Sequence, residues 1–180
     1  TYTGKGSEGI YVFRFDPATG RMGEVRLAAR AIKPSFLAVH PTGERLYAVN
    51  ETDQGGAVSA FALAAATGTL EFLNRVSTRG EGPCHVSLDS SGRCALVANY
   101  RSGSVAAFPV QPDGSLGEAA AFIQHRGSGV NRKRQEGPHA HSLAVSPDGR
   151  FALAMDLGID QGLVYRLDAT RATLTPNEPA

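Results

Sequence analysis

Short apolar runs alternate with polar turns along the whole chain, and nowhere is the three-to-four-residue spacing of an amphipathic helix sustained. "FLAVH", "RLYAVN", "CALVAN", "SLAVS" and "FALAMD" are bounded by "PTG", "SSG", "PDG" and "ATG", the Pro, Ser, Asp and Gly clusters that punctuate strands. The pattern predicts strands throughout and no helix. It also repeats: "PSFLAVHPTGERLYAVNE" from Pro34, "PCHVSLDSSGRCALVANY" from Pro83 and "AHSLAVSPDGRFALAMDL" from Ala140 superimpose. Their turn glycines Gly43, Gly92 and Gly149 are spaced 49 and 57 residues apart. An insertion, residues 125–137, accounts for the longer interval.

A second unit is interleaved with the first: "GIYVFRFDPATGRM", "AVSAFALAAATGTL", "SVAAFPVQPDGSL" and "LVYRLDATRATL", with Phe13, Phe61, Phe108 and Tyr165 in matching places. Ala172 stands where the other copies have Gly20, Gly68 and Gly114, so a different backbone geometry is expected at that turn. Four short strands per repeat of about 50 residues indicate an all-β fold, a β-propeller of four-stranded antiparallel blades. Residues 1–33 are read as part of a blade, 34–82 and 83–139 as complete blades, and 140–180 as an incomplete one, about three and a half blades in a single domain.

Strand parity orders the loops. An up-and-down meander puts the plain turns on one face and gathers the connections between strands 2 and 3, and between blades, on the other. Those connections read "NETDQGG", "RGEGPCH", "NYRSG", "KRQEGPHAH" and "DLGIDQG", so the versatile side chains concentrate on one rim. "EGPHAHS" lies there, at the head of an innermost strand bordering the central channel.

Composition narrows the function classes. Eighteen Lys and Arg against 17 Asp and Glu give a net charge of +1, no electrostatic footprint for nucleic acid or an anionic membrane. The one basic run, "NRKRQ", is short. No apolar run spans a bilayer and no secretory leader is visible, so a cytoplasmic protein is expected. Cys84 and Cys94 do not fall opposite each other across their hairpin and are expected to be reduced and structural.

"TYTGKGSEGIYVFRFD", "PSFLAVHPTGERLYAVNE", "GPCHVSLDSSGRCALVANY", "RQEGPHAHSLAVSPDGRFALAMDLGID" and "VYRLD" together resemble the lactonase family of seven-bladed propellers. "RQEGPHAHS" followed by "DLGID" is its specific signature, and the likeness covers nearly the whole chain. The resemblance implies an enzyme without cofactor or metal that hydrolyses a lactone in carbohydrate metabolism. A phosphorylated sugar lactone, 6-phosphogluconolactone, is the expected substrate. The family's distant fungal relatives close a muconate lactone, which leaves a cycloisomerase as an alternative; a non-catalytic binding scaffold is another. The resemblance implies seven blades, so a chain with three and a half is expected to expose two blade faces and self-associate through them, or to have lost a C-terminal half. The arginine and glutamate that complete the muconate site lie on later blades.

Lactone hydrolysis needs a base for water, donors for the oxyanion and a cationic clamp for phosphate. His141 aligns with Ser35 and Cys84 at the head of strand 1, and the resemblance gives it the acid/base role; the alternative is a structural histidine bonding a neighbouring blade. Glu136 is either a base, an orienting group or a solvated loop residue. Candidate substrate contacts are His139, Arg134, Gln135, His85, Asn99, Asp156, Glu51 and Arg101. Arg132 and Lys133 share Arg134's loop. His139 and His141, with His85 as a third ligand, have a spacing that fits a metal, but no carboxylate or CxxC pattern accompanies it. His85 sits one step from the His141 position, a parity that suits interblade packing. Asn50, Asn99 and Asp156 recur at the end of strand 2 in every repeat, which argues for bonding the rim loops, while Glu51, Tyr100 and Arg101 differ between repeats.

Overall fold

The structure is a computed structural model that describes Thr3 and residues 6–178. No helix occurs among the described residues. Strands β5 (Leu37–Val39), β6 (Arg45–Asn50), β7 (Ala57–Ala64) and β8 (Thr69–Ser77) form one antiparallel sheet in sequence order. β9 (Pro83–Leu88), β10 (Cys94–Asn99), β11 (Ser104–Pro109) and β12 (Ala121–Gln124) form the next, and β13 (Ala140–Val145), β14 (Phe151–Asp156), β15 (Gln161–Asp168) and β16 (Thr173–Pro176) a third. Ahead of them β1 (Gly9–Val12) pairs with β4 (Arg26–Arg30), and β2 (Phe15–Asp16) with β3 (Arg21–Met22), as the hairpin of a partial blade. The expectation of an incomplete blade over 140–180 is corrected: this segment supplies all four strands.

Packing explains why the strand-2 segments are apolar runs instead of clean alternations. On β10, Cys94, Leu96 and Ala98 pack against Ala140, Leu143, Ala152 and Ala154 of the following blade. Ala95 and Val97 pack against Tyr47, Val49, Val58 and Ala60 of the preceding one. Both sides of this sheet are interior, so both parities must be apolar. Ile10 with Leu46, Ala48 and Phe61 joins the partial blade to its neighbour. Fully burying one such Leu or Phe stabilises by about 1.5–3 kcal/mol, so these interblade seams carry the fold.

The two faces separate as parity requires. On the plain-turn face, the Tyr47 hydroxyl donates to Gly114 O (3.0 Å), Arg45 Nε to Asp113 O (3.0 Å), and His40 Nε2 lies 3.1 Å from Gly92 O. On the other face, the Gly56 amide donates to Gly80 O (3.1 Å), the Gly82 amide to Thr52 O (2.9 Å), and Arg101 pairs with Asp53. The expected change of geometry at Ala172 does not occur. Its φ is +51°, in the left-handed region of Gly20, Gly68 and Gly114. Its methyl is fully buried with Cys94 and Leu174, so packing offsets the steric cost of that backbone.

Candidate functional site

The strand-2 termini tie the rim together. Asn50 Nδ2 donates to Ile32 O (2.8 Å) and Asn99 Nδ2 to Thr78 O (3.4 Å), each holding the connector that enters its blade. The equivalent Asp156 meets a side chain instead: its Oδ2 lies 2.6 Å from His125 Nδ1, and His125 Nε2 lies 2.9 Å from the Tyr165 hydroxyl. Asp156 Oδ1 accepts the amides of His139 (2.7 Å), Gly158 (2.9 Å) and Ile159 (3.3 Å). Burial pushes this carboxyl up, and the hydrogen bonds from His125 and the His139 amide more than offset it, leaving it below its ordinary value. His125 occupies the position of Thr78 in the preceding blade, each donating its amide to a loop glycine (Gly103 O, 3.0 Å; Gly56 O, 2.9 Å), and only its imidazole is new there. All three strand-2 ends bond the rim loops, and Asn50, Asn99 and Asp156 are buried.

The segment 137–139 is clamped between two loops. A Cβ at Gly103 would lie 2.3 Å from Pro138 O, and one at Gly158 would lie 1.9 Å from Gly137 O and 2.6 Å from His139 N. Glycine at both places is thus a requirement of close backbone approach. This explains why "EGPHAHS" and "DLGID" occur together: one loop lies on the other.

The two histidines have different fates. His139 is only 15% exposed; its Nδ1 lies 3.0 Å from Tyr100 O, its Nε2 lies 3.3 Å from Glu136 Oε1, and its ring stacks on Tyr100 at 4.7 Å. His141 falls at a β-bulge, where the register passes from Ala140↔Asp156 to Ser142↔Met155 and leaves it unpaired. Its imidazole is exposed, meets the Tyr100 ring edge-on at 5.7 Å, and has no hydrogen-bond partner for its ring nitrogens among the described residues. Ser142, Met155, Asp156 and Leu157 flank it, on the sheet face whose counterparts in the preceding blade, Ala98 and Val105, are covered by the following blade. The bulge recurs at Cys84 in the preceding blade, confirming that the two positions are equivalent. Tyr100, between the imidazoles, is the organising residue; its signal was its difference from Glu51 and Leu157 at equivalent positions.

The other candidates spread over the rim. Glu136 is largely exposed and its carboxyl is held low, first by backbone hydrogen bonding and then by the bond to His139. Arg134 reaches the Tyr100 hydroxyl at 3.3 Å, and Arg132 and Lys133 are exposed beside it. Gln135 uses its amide within the loop, donating to Leu157 O (2.9 Å) and accepting from the Asn131 amide (2.9 Å), so it holds the insertion in place. Arg101 pairs with Asp53 at 3.1 Å, one blade away. His85 packs on Phe36 at 4.5 Å and its Nδ1 accepts the Leu143 amide at 3.4 Å, bridging blades as its parity suggested. Burial, then the neighbouring His141, lowers its pKa. Glu51 acts on Cys84, whose thiol burial first and this carboxylate second push up to about 11. Cys94 is pushed up to about 12, so neither thiol is a nucleophile near neutral pH. Both cysteines are free.

The model of a family described as "Lactonase, 7-bladed beta-propeller" matches residues 1–180. The chain belongs to the lactonase family of seven-bladed β-propellers. The 6-phosphogluconolactonase of Bacillus subtilis is 41% identical over 167 residues, 93% of this chain and 48% of that protein. The 6-phosphogluconolactonase of Formosa agariphila is 31% identical over 158 residues, 87% of this chain and 45% of that one. The solved periplasmic gluconolactonase of Pseudomonas aeruginosa superimposes with a TM-score of 0.88 at 36% identity, covering 99% of this chain and 54% of the other. A Bacteroides uniformis protein provisionally named a 6-phosphogluconolactonase gives a TM-score of 0.94 at 36% identity, over 100% of this chain and 52% of its own. The chain spans about half the length of the curated relatives it matches.

Proposed function

We propose that the protein acts as a lactone hydrolase, with 6-phosphogluconolactone as substrate. The names of its lactonase relatives support this reading, and one observation carries it: His141 alone of the rim histidines is set by a bulge at the head of an innermost strand, exposed and with no hydrogen-bond partner for its ring nitrogens among the described residues. In the proposed step His141 removes a proton from water as the oxygen adds to the lactone carbonyl. The tetrahedral intermediate then expels the ring oxygen, which takes the proton back from the imidazolium, giving the open hydroxy acid. Glu136 holds His139 and is a positioning residue; Arg134 with Arg132 and Lys133 receives the phosphate. Opening of 6-phosphogluconolactone, followed by acid release in a pH-stat, tests the function. Acceleration well above the uncatalysed rate is expected, and a rate equal to the uncatalysed one contradicts it.

A further inference from the structure

The joint between the last two four-stranded sheets departs from the joint before it at three matched positions. Strand register equates Asn99 with Asp156 and Phe108 with Tyr165, which pair with Ala95 and Ala152 respectively. Thr78 and His125 correspond through their amide bonds to Gly56 O and Gly103 O. In the earlier joint the Asn99 amide group donates to Thr78 O (3.4 Å) and Ser104 Oγ (3.1 Å), and the Thr78 hydroxyl turns away to Gly80 O (3.3 Å). Asn99 Oδ1 has no partner there. In the later joint Asn becomes Asp, Thr becomes His and Phe becomes Tyr, and the three side chains connect: Asp156 Oδ2 to His125 Nδ1 at 2.6 Å, His125 Nε2 to the Tyr165 hydroxyl at 2.9 Å. The Asp156 and His125 side chains are 0% and 1% exposed, and Tyr165 lies in one core cluster with Cys94, Leu96 and Leu143. Both sheets that enclose the chain of groups have all four strands.

A buried carboxylate is costly unless hydrogen bonds satisfy it, and the earlier joint holds without one. What the carboxylate adds is reach: its Oδ1 takes the His139 amide at 2.7 Å together with those of Gly158 and Ile159. We propose that His125 is a positioning residue, which by holding the Asp156 carboxylate sets the place of His139 and, two residues on, of His141. The proposal rests on the reading of this rim as a lactonase site. Asp156 is held ionised and only accepts, so His125 Nδ1 carries a proton. In the neutral ring Nε2 then accepts from Tyr165, whose hydroxyl burial pushes up to about 12 and so keeps its proton. With Oδ2 occupied, the carboxylate cannot turn Oδ1 away from the His139 amide.

The experiment compares the protein with its His125→Leu, His125→Asn and Leu174→Ala variants. Asn offers an N–H near the place of Nδ1 and Leu offers none; Leu174→Ala opens a cavity in the same interblade seam and leaves the three groups intact. Nitrogen-resolved NMR reads the His125 ring proton and the His139 amide, and hydrolysis of 6-phosphogluconolactone gives kcat and KM beside Tm. The parent is expected to carry the ring proton on Nδ1. His125→Leu is expected to displace the His139 amide resonance and to lower kcat about 10- to 100-fold with KM within about threefold, the cost of a small misplacement at a site. His125→Asn is expected to recover most of that loss, and Leu174→Ala to lower Tm with kcat and the His139 amide unchanged. Should His125→Leu not fold, Tyr165→Phe, the residue type of the sibling blades, replaces it, with a smaller fall in kcat and a displaced His139 amide expected. If the Nδ1 proton and the amide displacement are seen without any hydrolysis by the parent, the positioning stands and the hydrolase reading falls. A ring proton confined to Nε2, a His139 amide unmoved in the variant that removes the contact, or a kcat that falls with Tm alike in His125→Leu and Leu174→Ala overturns the inference.

Discussion

Replacing Asp156 by Ala strikes the junction between the fold and the candidate site. The carboxylate takes His125 Nδ1 at 2.6 Å and the amides of His139 and Gly158 at 2.7 and 2.9 Å. Each donor left buried without an acceptor costs about 1–3 kcal/mol, less where water enters the space vacated. A loss of about 4 kcal/mol is therefore expected, a large part of the roughly 5–15 kcal/mol of a typical domain. With a urea m-value of about 2 kcal/mol/M, the midpoint falls by about 2 M. Asp156→Asn restores the residue type of the two sibling blades and keeps an acceptor for the amides. It presents an NH₂ to His125, however, and is expected to cost only about 1–2 kcal/mol. The pH dependence has a definite sign. The folded carboxyl titrates below its unfolded value of about 3.9, so its contribution is complete above that pH and is lost as pH falls through the folded value. The part of the stability gap between the protein and Asp156→Asn that comes from this carboxyl, by urea unfolding, is thus expected to shrink as pH falls below about 4. An Asp156→Ala midpoint within about 0.5 M of the parent, or a gap that widens as pH falls below about 4, contradicts this.

Gly158→Ala drives a methyl into Gly137 O and His139 N, and a loss of about 3 kcal/mol with a disturbed His139 ring environment is expected by unfolding and NMR. Cys84, raised to about 11, is expected to react with iodoacetamide at a rate that climbs steeply only above about pH 10, as mass spectrometry reads it.

The repeat and its turn glycines made the propeller legible, because each blade repeats the same strand-and-turn chemistry and both sheet faces are buried. Parity also placed the rim loops and the interblade position of His85. What parity could not see was the bulge, a local extra residue that re-aims His141 without any residue type that marks it. The His125–Asp156–Tyr165 network was hidden for a different reason: its members lie 31 and 40 residues from His125 and converge only when two blades pack. Ala172 misled because a glycine rule ignores burial, which here holds an alanine in the left-handed region. The fourth strand of the 140–180 blade is short, Thr173–Pro176, so its pattern is weak in the sequence although it pairs with β15 in regular register.

The proposed role of the His141 imidazole is to perform the proton transfers of lactone opening. Its most direct test is kcat/KM for 6-phosphogluconolactone in the protein and in His141→Gln, corrected for the uncatalysed rate, with folding verified by circular dichroism. Loss of a general acid/base is expected to lower the value by about 10² to 10⁴-fold in the folded variant. A His141→Gln protein that hydrolyses the lactone at the parent's rate contradicts the claim.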